Sequence, residues 1–162
     1  GMRIDEIASL EVSHVTEEGF NLQEGKTDSA VRLVPIHQDI RPLVDQLVAE
    51  AEGAKEGYLI PKLNRGGPDK KRSWHIQKMF GRRKTKLGFG ADLVFHSLRG
   101  TFITKLKRAG VPVTLAKEIV GHSLDDLTFG HYAENMLIKD KQSAVDRVEF
   151  EKDLLRYSVV TV

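Results

Sequence analysis

The strongest constraint on the fold is a helical pattern in residues 96–121 that glycine and proline interrupt. The first part has apolar residues at helical spacing, namely Leu98, Phe102, Leu106 and Ala109. Gly110 ends that helix, and Pro112 fits the first position of a second one, where a missing N–H costs nothing. The apolar side of the second helix consists of Leu115, Ile119 and Val120. Gly121 is typical of the residue that follows a helix, and a last helix is predicted over residues 135–149.

The first half of the chain mixes helical and strand patterns. Residues 3–10 and 38–52 carry apolar residues at helical spacing, and Pro42 lies early enough in the second segment to be tolerated. Strands are favoured in three short segments, residues 12–15, 19–22 and 30–36. Turn-forming residues separate the last two, which predicts an antiparallel hairpin or meander. The predicted fold class is therefore α+β, mainly α-helical, with a small antiparallel sheet near the N-terminus.

Positive charge is concentrated in residues 62–86. This segment has ten lysines and arginines and one acid, Asp69, so it carries +9, and the rest of a chain with net charge +2 carries −7. Trp74 and Phe80 lie among the bases, and a helix is predicted over residues 69–86. Such a segment indicates a polyanionic partner, here double-stranded DNA, although a solvated helix face is the alternative. The residues predicted to contact the DNA backbone are Lys70, Lys71, Arg72, Lys78, Arg82, Arg83 and Lys84.

Composition argues against several classes of protein. The 162 residues include no cysteine, which excludes disulfide frameworks, thiolate nucleophiles and cysteine-bound zinc. No apolar run approaches the roughly 18 to 20 residues that a membrane span needs, and no signal peptide opens the chain. We therefore expect a cytoplasmic protein of one domain.

Two histidines and an arginine in the helical half have the chemistry of a phosphate site. His96 and Arg99 are three residues apart on one predicted helix, so the roots of both side chains should be partly buried beside the apolar stripe. An arginine held in this way either binds a phosphate with its planar guanidinium or pairs with a carboxylate. His122 follows the glycine that ends the next helix, where it either caps free carbonyls or acts in a site. These residues alone leave both alternatives open.

Six short motifs follow one another along residues 1–135. They are Arg3 to Ile7, Gly25-Lys26-Thr27 with Val31 to Ile36, His96 to Arg99, Leu115 to Gly121 with His122 and Ser123, Thr128, and Tyr132, ten residues after His122. In this order they resemble the catalytic domain of the tyrosine recombinases of the phage integrase type. Each motif is short, but their shared order along most of the chain makes the resemblance specific.

The resemblance implies a site-specific recombinase that cuts and rejoins DNA through a 3′-phosphotyrosyl intermediate, without metal or ATP. Tyr132 would be the nucleophile, and Lys26 would protonate the leaving 5′-oxygen as general acid. The covalent link would keep the energy of the phosphodiester bond, so a second 5′-hydroxyl can reverse the step.

The resemblance also assigns roles to four cationic or polar side chains. Arg3 and Arg99 would hold the attacked phosphate, because its pentavalent state gains negative charge. His96 would assist proton transfer at the tyrosine or hold the phosphate. His122 would donate a hydrogen bond to a non-bridging oxygen.

The family resemblance further predicts the organisation of the protein. Residues 1–162 would form one catalytic domain, truncated at its N-terminus, with a C-terminal tail over about residues 150–162. Subunits of this family exchange C-terminal segments, which predicts a homo-oligomer, a tetramer on DNA. The alternative to an active recombinase is a catalytically impaired remnant that only binds DNA. A type IB topoisomerase shares the chemistry and is a third candidate.

Overall fold

The computed structural model describes residues 1–23, 31–55, 57–122 and 137–150. Within these ranges the chain forms six α-helices and a two-stranded sheet. In chain order the elements are α1 (Ile4–Ala8), β1 (Phe20–Leu22), β2 (Arg32–Val34), α2 (Arg41–Gly53), α3 (Ser73–Lys86), α4 (Ser97–Arg108), α5 (Val113–Val120) and α6 (Ile138–Asp146). The predicted fold class, α+β and mainly helical with a small antiparallel sheet, is confirmed. Among the described helices, none has the length and apolar character to cross a membrane.

The N-terminal half is built around the predicted hairpin. β1 and β2 pair antiparallel, with Phe20 opposite Val34 and Leu22 opposite Arg32. Their apolar side chains share a core with α2 and the flanking segments, formed by Leu10, Phe20, Leu22, Val34, Ile36, Val44 and Leu59. Arg32, which belongs to the site described below, is the first residue of β2, beside this core.

The predicted strand over residues 12–15 is wrong, because Val12–His14 forms a single turn of 3-10 helix. The amide of His14 donates to the carbonyl of Glu11 (3.1 Å), and the ring of His14 accepts from the amide of Glu11 (3.4 Å). Local bonds of this kind compete with a strand ladder, so this segment adds only an isolated antiparallel bridge, from Val15 to Phe20, instead of a third strand.

The second core lies between α4, α5 and α6, and its buried residues are Leu106, Val111, Leu115, Ile119, Val120, Ala144, Val145 and Val148. Gly110 and Gly121 end α4 and α5 with φ of 70° and 71°, as predicted. Pro112 lies at the N-cap of α5, one position before the predicted one. Leu98 was predicted on the apolar stripe but is 49% exposed. It lies in the first turn of α4, ahead of the part that this core covers.

The basic helix α3 begins at Ser73 rather than at residue 69. Gly66 and Lys71 exchange backbone hydrogen bonds of 3.1 and 3.0 Å, and this turn occupies the predicted start of the helix. The indole of Trp74 packs on Gly66 and Gly67, and a Cβ atom on Gly67, where φ is 73°, would overlap it. The predicted bases at positions 70–72 therefore precede the helix instead of lying on its face.

Candidate active site

Arg3 joins the start of α1 to the C-terminal end of α5. Its Nη1 donates to Oε1 of Glu6 (3.0 Å), and its backbone N–H donates to Oε2 of the same carboxylate (2.7 Å). Its Nη2 donates to the carbonyl of Gly121 (3.1 Å), which immediately precedes His122 in the chain. The side chain of Arg3 is 42% exposed, so the guanidinium is fixed by the protein and still reaches solvent.

Arg99 lies in the first turn of α4 and is only 3% exposed. Its Nη1 donates to the carbonyl of Gly1 (2.6 Å), whereas its buried Nη2 has no acceptor among the described residues. Burial, and then the charges of Arg3 and Arg32, lower the pKa of Arg99 to about 10, so it is still charged at neutral pH. A buried donor without an acceptor costs roughly 1–3 kcal/mol, and such a group points to a binding role.

His122 lies beside the two arginines at the end of α5. Its backbone N–H caps the helix by donating to the carbonyl of Lys117 (3.0 Å), so capping does not use the ring. Burial, followed by the charges of Arg99 and Arg3, lowers the pKa of His122 below its usual value. The exposed imidazole is therefore neutral at pH 7 and has one N–H to donate.

His96 is the residue immediately before α4. It lines a cavity of about 140 Å³ together with Arg99 and with Ile4 and Ile7 of α1. Arg99 is buried, as expected for its root, whereas His96 as a whole residue is exposed. The reason is that His96 stands at the N-cap, before the first helical turn.

Sequence reasoning missed two further residues of this cluster, Arg32 and Glu6. Arg32, on β2, donates from Nη1 to Oε1 and from Nη2 to Oε2 of Glu6 (3.1 and 3.0 Å), and from Nε to the carbonyl of Ile119 (3.2 Å). Burial would raise the pKa of Glu6, but hydrogen bonds from Arg32 and Arg3 outweigh it and lower that pKa. One sequence signal was present: Arg32 shares a strand face with Val34, which is buried.

The structure thus brings four of the six predicted catalytic residues to one place: Arg3, His96, Arg99 and His122. Lys26 and Tyr132 lie outside the described residues, in the stretches 24–30 and 123–136. Their roles remain predictions. In the sequence, the last described residue before Tyr132 is His122, which belongs to the cluster.

Three of the predicted DNA-contacting bases have partners within the protein. The guanidinium of Arg72 donates to the carbonyls of Ala8 and Ile60 (both 2.9 Å) and covers the ring of Tyr58 at 3.6 Å. Lys84 donates from Nζ to three carbonyls in the segment after α3, those of Gly90, Ala91 and Leu93 (2.8, 3.3 and 2.6 Å). Lys71 forms an exposed ion pair with Asp5 (2.7 Å). Their predicted contacts with DNA are untested.

The outer face of α3 carries a stripe of cations at intervals of four residues. Lys78, Arg82 and Lys86 border an open groove of about 800 Å³, and all three are exposed. Lys78 lies 5.4 Å from the indole of Trp74, and none of the three forms an ion pair with another described residue. Lys70 and Arg83 are also exposed. Lys78 and Arg82 were predicted individually as contacts, and Lys86 is the last residue of the predicted basic segment.

Helix α3 is attached to the elements around the arginine cluster at both ends. At its start, Ser73 donates a short hydrogen bond to Asp5 of α1. Near its end, Phe80 packs edge to face on Phe95, the neighbour of His96, at 5.4 Å between ring centres. The basic stripe and the arginine cluster are therefore held in a fixed relation to each other.

Comparisons with known proteins found one family and several relatives. The family model described as the Phage integrase family matches residues 1–137. The chain is 22% identical over 159 residues to a protein named tyrosine recombinase XerA from Pyrococcus horikoshii, a match that covers 96% of this chain and 53% of that protein. It is 28% identical over 129 residues to a protein of the same name from Thermococcus kodakarensis, a match that covers 76% of this chain and 43% of that protein. It is 32% identical over 80 residues to a probable integrase/recombinase from Aquifex aeolicus, a match that covers 49% of this chain and 25% of that protein. The chain spans about half the length of these relatives or less, and no solved structure matches it.

Proposed function

Because this chain belongs to the phage integrase family, we propose that it forms the catalytic domain of a tyrosine-type site-specific recombinase acting on double-stranded DNA. The observation that carries the proposal is the cluster of Arg3, Arg99 and His122 around the buried, unpartnered Nη2 of Arg99. With Arg32, the cluster holds three guanidinium groups and one carboxylate, so it has an excess positive charge that suits a phosphate.

In the proposed reaction, Oη of Tyr132 attacks the phosphorus of a DNA phosphodiester as the bond from phosphorus to the 5′-oxygen breaks. The leaving oxygen takes a proton from Lys26, and the phenol, whose ordinary pKa is about 10, passes its proton to His96. A 5′-hydroxyl of another strand then attacks the phosphotyrosine and restores the phenol. Both steps conserve the number of phosphoester bonds, so rejoining needs no external energy.

The arginines act on the phosphate itself. Arg3 and Arg99 bind the non-bridging oxygens, which gain negative charge in the pentavalent state, and neutral His122 donates one further hydrogen bond. Their value lies in being fixed before the substrate arrives, since charges that need no reorganisation stabilise the transition state most. The hydrogen bond of Arg3 to Gly121 and the burial of Arg99 both support such a fixed arrangement.

Helix α3 binds the DNA backbone. The stripe formed by Lys78, Arg82 and Lys86 supports this role because its charges are exposed and directed away from the core. The other predicted bases, Lys70, Lys71, Arg72, Arg83 and Lys84, are proposed as additional contacts, three of them through groups that also hold the protein together. We place this activity in the cytoplasm, with the cell's DNA.

The proposal includes assembly into a homo-oligomer, a tetramer on DNA, through exchange of the C-terminal tail. The tail beyond residue 150 lies outside the described residues. The segment just before it is tied to the core, since His37 is within hydrogen-bond distance of the carbonyl of Val148 (2.9 Å) and packs edge to face on Phe150. Removing residues 151–162 should therefore leave the fold intact and abolish the oligomer on DNA, as measured by light scattering.

Covalent trapping tests the chemistry. Duplexes from the flanks of the source gene, nicked so that cleavage releases a short strand, are incubated with the chain and with Tyr132→Phe, and bands stable to denaturing detergent are counted. The expected result is a protein–DNA band that Tyr132→Phe abolishes while DNA affinity is unchanged. Tyr157→Phe, the matched control, should keep the band. Salt-sensitive binding without a band identifies the remnant that only binds DNA, and relaxation of any supercoiled plasmid identifies a topoisomerase.

A further inference from the structure

The most enclosed ion pair in the described part of the molecule is that of Arg32 with Glu6. The side chains are 6% and 12% exposed, and two parallel hydrogen bonds of 3.1 and 3.0 Å join them. A third bond, from Nε of Arg32 to the carbonyl of Ile119, reaches the last turn of α5. One side chain on β2 thus connects α1, which carries Arg3, to the helix that ends beside His122.

The carboxylate of Glu6 is saturated by its neighbours. Oε1 accepts from the side chains of Arg3 and Arg32, and Oε2 accepts from the backbone amide of Arg3 and from Arg32. A carboxylate has about four acceptor positions, so these four donors leave none for a fifth. Arg99 lies close enough to feel the charge of Glu6, yet its Nη2 has no acceptor among the described residues.

We infer that Arg32 is a positioning residue of the active site: by holding both oxygens of Glu6 and the carbonyl of Ile119, it keeps Glu6 away from Arg99 and sets the end of α5 that meets Arg3. The inference rests on the proposed function and adds a residue that acts through Glu6 and the end of α5. Lysine cannot replace Arg32, because one ammonium group cannot bind both carboxylate oxygens and a carbonyl in the geometry of the planar guanidinium.

Four variants separate positioning from simple stabilisation: Arg32→Lys, Arg32→Met, Glu6→Gln and the double variant Arg32→Met with Glu6→Gln. In Arg32→Met the carboxylate keeps its two bonds from Arg3 but loses the two from Arg32, so it can also accept from Arg99. The rate of covalent trapping at saturating DNA should then fall about 100-fold, the loss typical of one transition-state donor. The apparent DNA affinity should change by no more than about threefold, since the loss is in the chemical step. The trapping rate of Arg32→Lys should lie between those of the parent chain and Arg32→Met.

The double variant gives the decisive comparison. The double variant should trap DNA about tenfold faster than Arg32→Met, because removing the charge of Glu6 removes the competing anion. A purely structural role predicts the opposite, since the double variant lacks two partners instead of one. Arg108→Met, which removes an exposed charge at the end of α4, is the control and should leave the trapping rate unchanged.

A second readout does not depend on catalysis. NMR titration of the side-chain carboxyl carbon of Glu6 should show a higher midpoint in Arg32→Lys and Arg32→Met, and melting curves show whether each variant is folded. The inference is overturned if this midpoint does not move, if affinity falls together with rate, or if the double variant is no faster than Arg32→Met. The proposed function fails on a different result, the absence of any trapped band with Arg32 in place.

Discussion

The salt dependence of DNA binding gives a direct test of the stripe on α3. Lys78, Arg82 and Lys86 are exposed and span eight residues of helix, about 12 Å at 1.5 Å per residue. We expect each to neutralise one phosphate. Each such contact contributes about 0.9 to the slope of log affinity against log salt, so changing all three to glutamine should lower the slope by about 2.7.

When salt rises fourfold, from about 50 to 200 mM, the parent chain should lose about 40 times more affinity than the stripe variant. The assay is fluorescence anisotropy with a labelled duplex at several salt concentrations. Glutamine at Lys55, Lys107 and Lys139, which are exposed and lie outside the basic segment, removes the same charge and should leave the slope almost unchanged. Equal slopes for the stripe variant and the parent chain would refute the reasoning, as would an equal loss in the control.

Three further predictions concern the fold and the site. Gly67→Ala should destabilise the protein by more than about 1 kcal/mol, because Gly67 has positive φ and its Cβ would overlap the indole of Trp74. Gly81→Ala, which adds a methyl group in open space on α3, should stabilise the protein by about 0.5–1 kcal/mol. Urea unfolding that ranks the two variants the other way contradicts this. Lys84→Met should cost about 0.5–1.5 kcal/mol, because it removes the donor shared by three carbonyls and only the bond to Leu93 is partly buried. An unchanged urea unfolding midpoint would show that the ammonium group is not needed there. Arg99→Met should raise the pKa of His122, because burial and the charge of Arg99 lower that pKa in the parent chain. NMR titration of the imidazole measures the shift, and no upward shift would show that the two groups do not interact.

Helices α4 and α5 illustrate what could be predicted locally. Their apolar spacing and the glycines at their ends are properties of neighbouring residues, so periodicity and positive φ identify them without tertiary information. The hairpin was predicted for the same reason, from strand residues on both sides of a turn. The missing strand at Val12–His14 and the exposed Leu98 show the limit, because burial of either segment depends on what packs over it.

The catalytic candidates Arg3, His96, Arg99 and His122 could be named from short motifs, since a motif records which residue types stand together in a family. Their actual environment could not be read in the same way. Only the structure shows that Arg3 bonds a carbonyl 118 positions away, and that Arg99 is buried with one donor left over.

The sequence by itself determined where α4 and α5 end, the concentration of positive charge in residues 62–86 and the order of the motifs, because each depends on residues adjacent in the chain. The tertiary structure alone decided which cations face outward and which are bound internally. Lys84 and Arg72 are drawn inward by carbonyls of other segments, whereas Lys78 and Arg82 are not. Arg32 gained its importance in the same way, from a carboxylate 26 residues distant and a helix end 87 residues distant. Hydrogen-bond partners so far apart are joined only when the chain folds, and no local pattern records them.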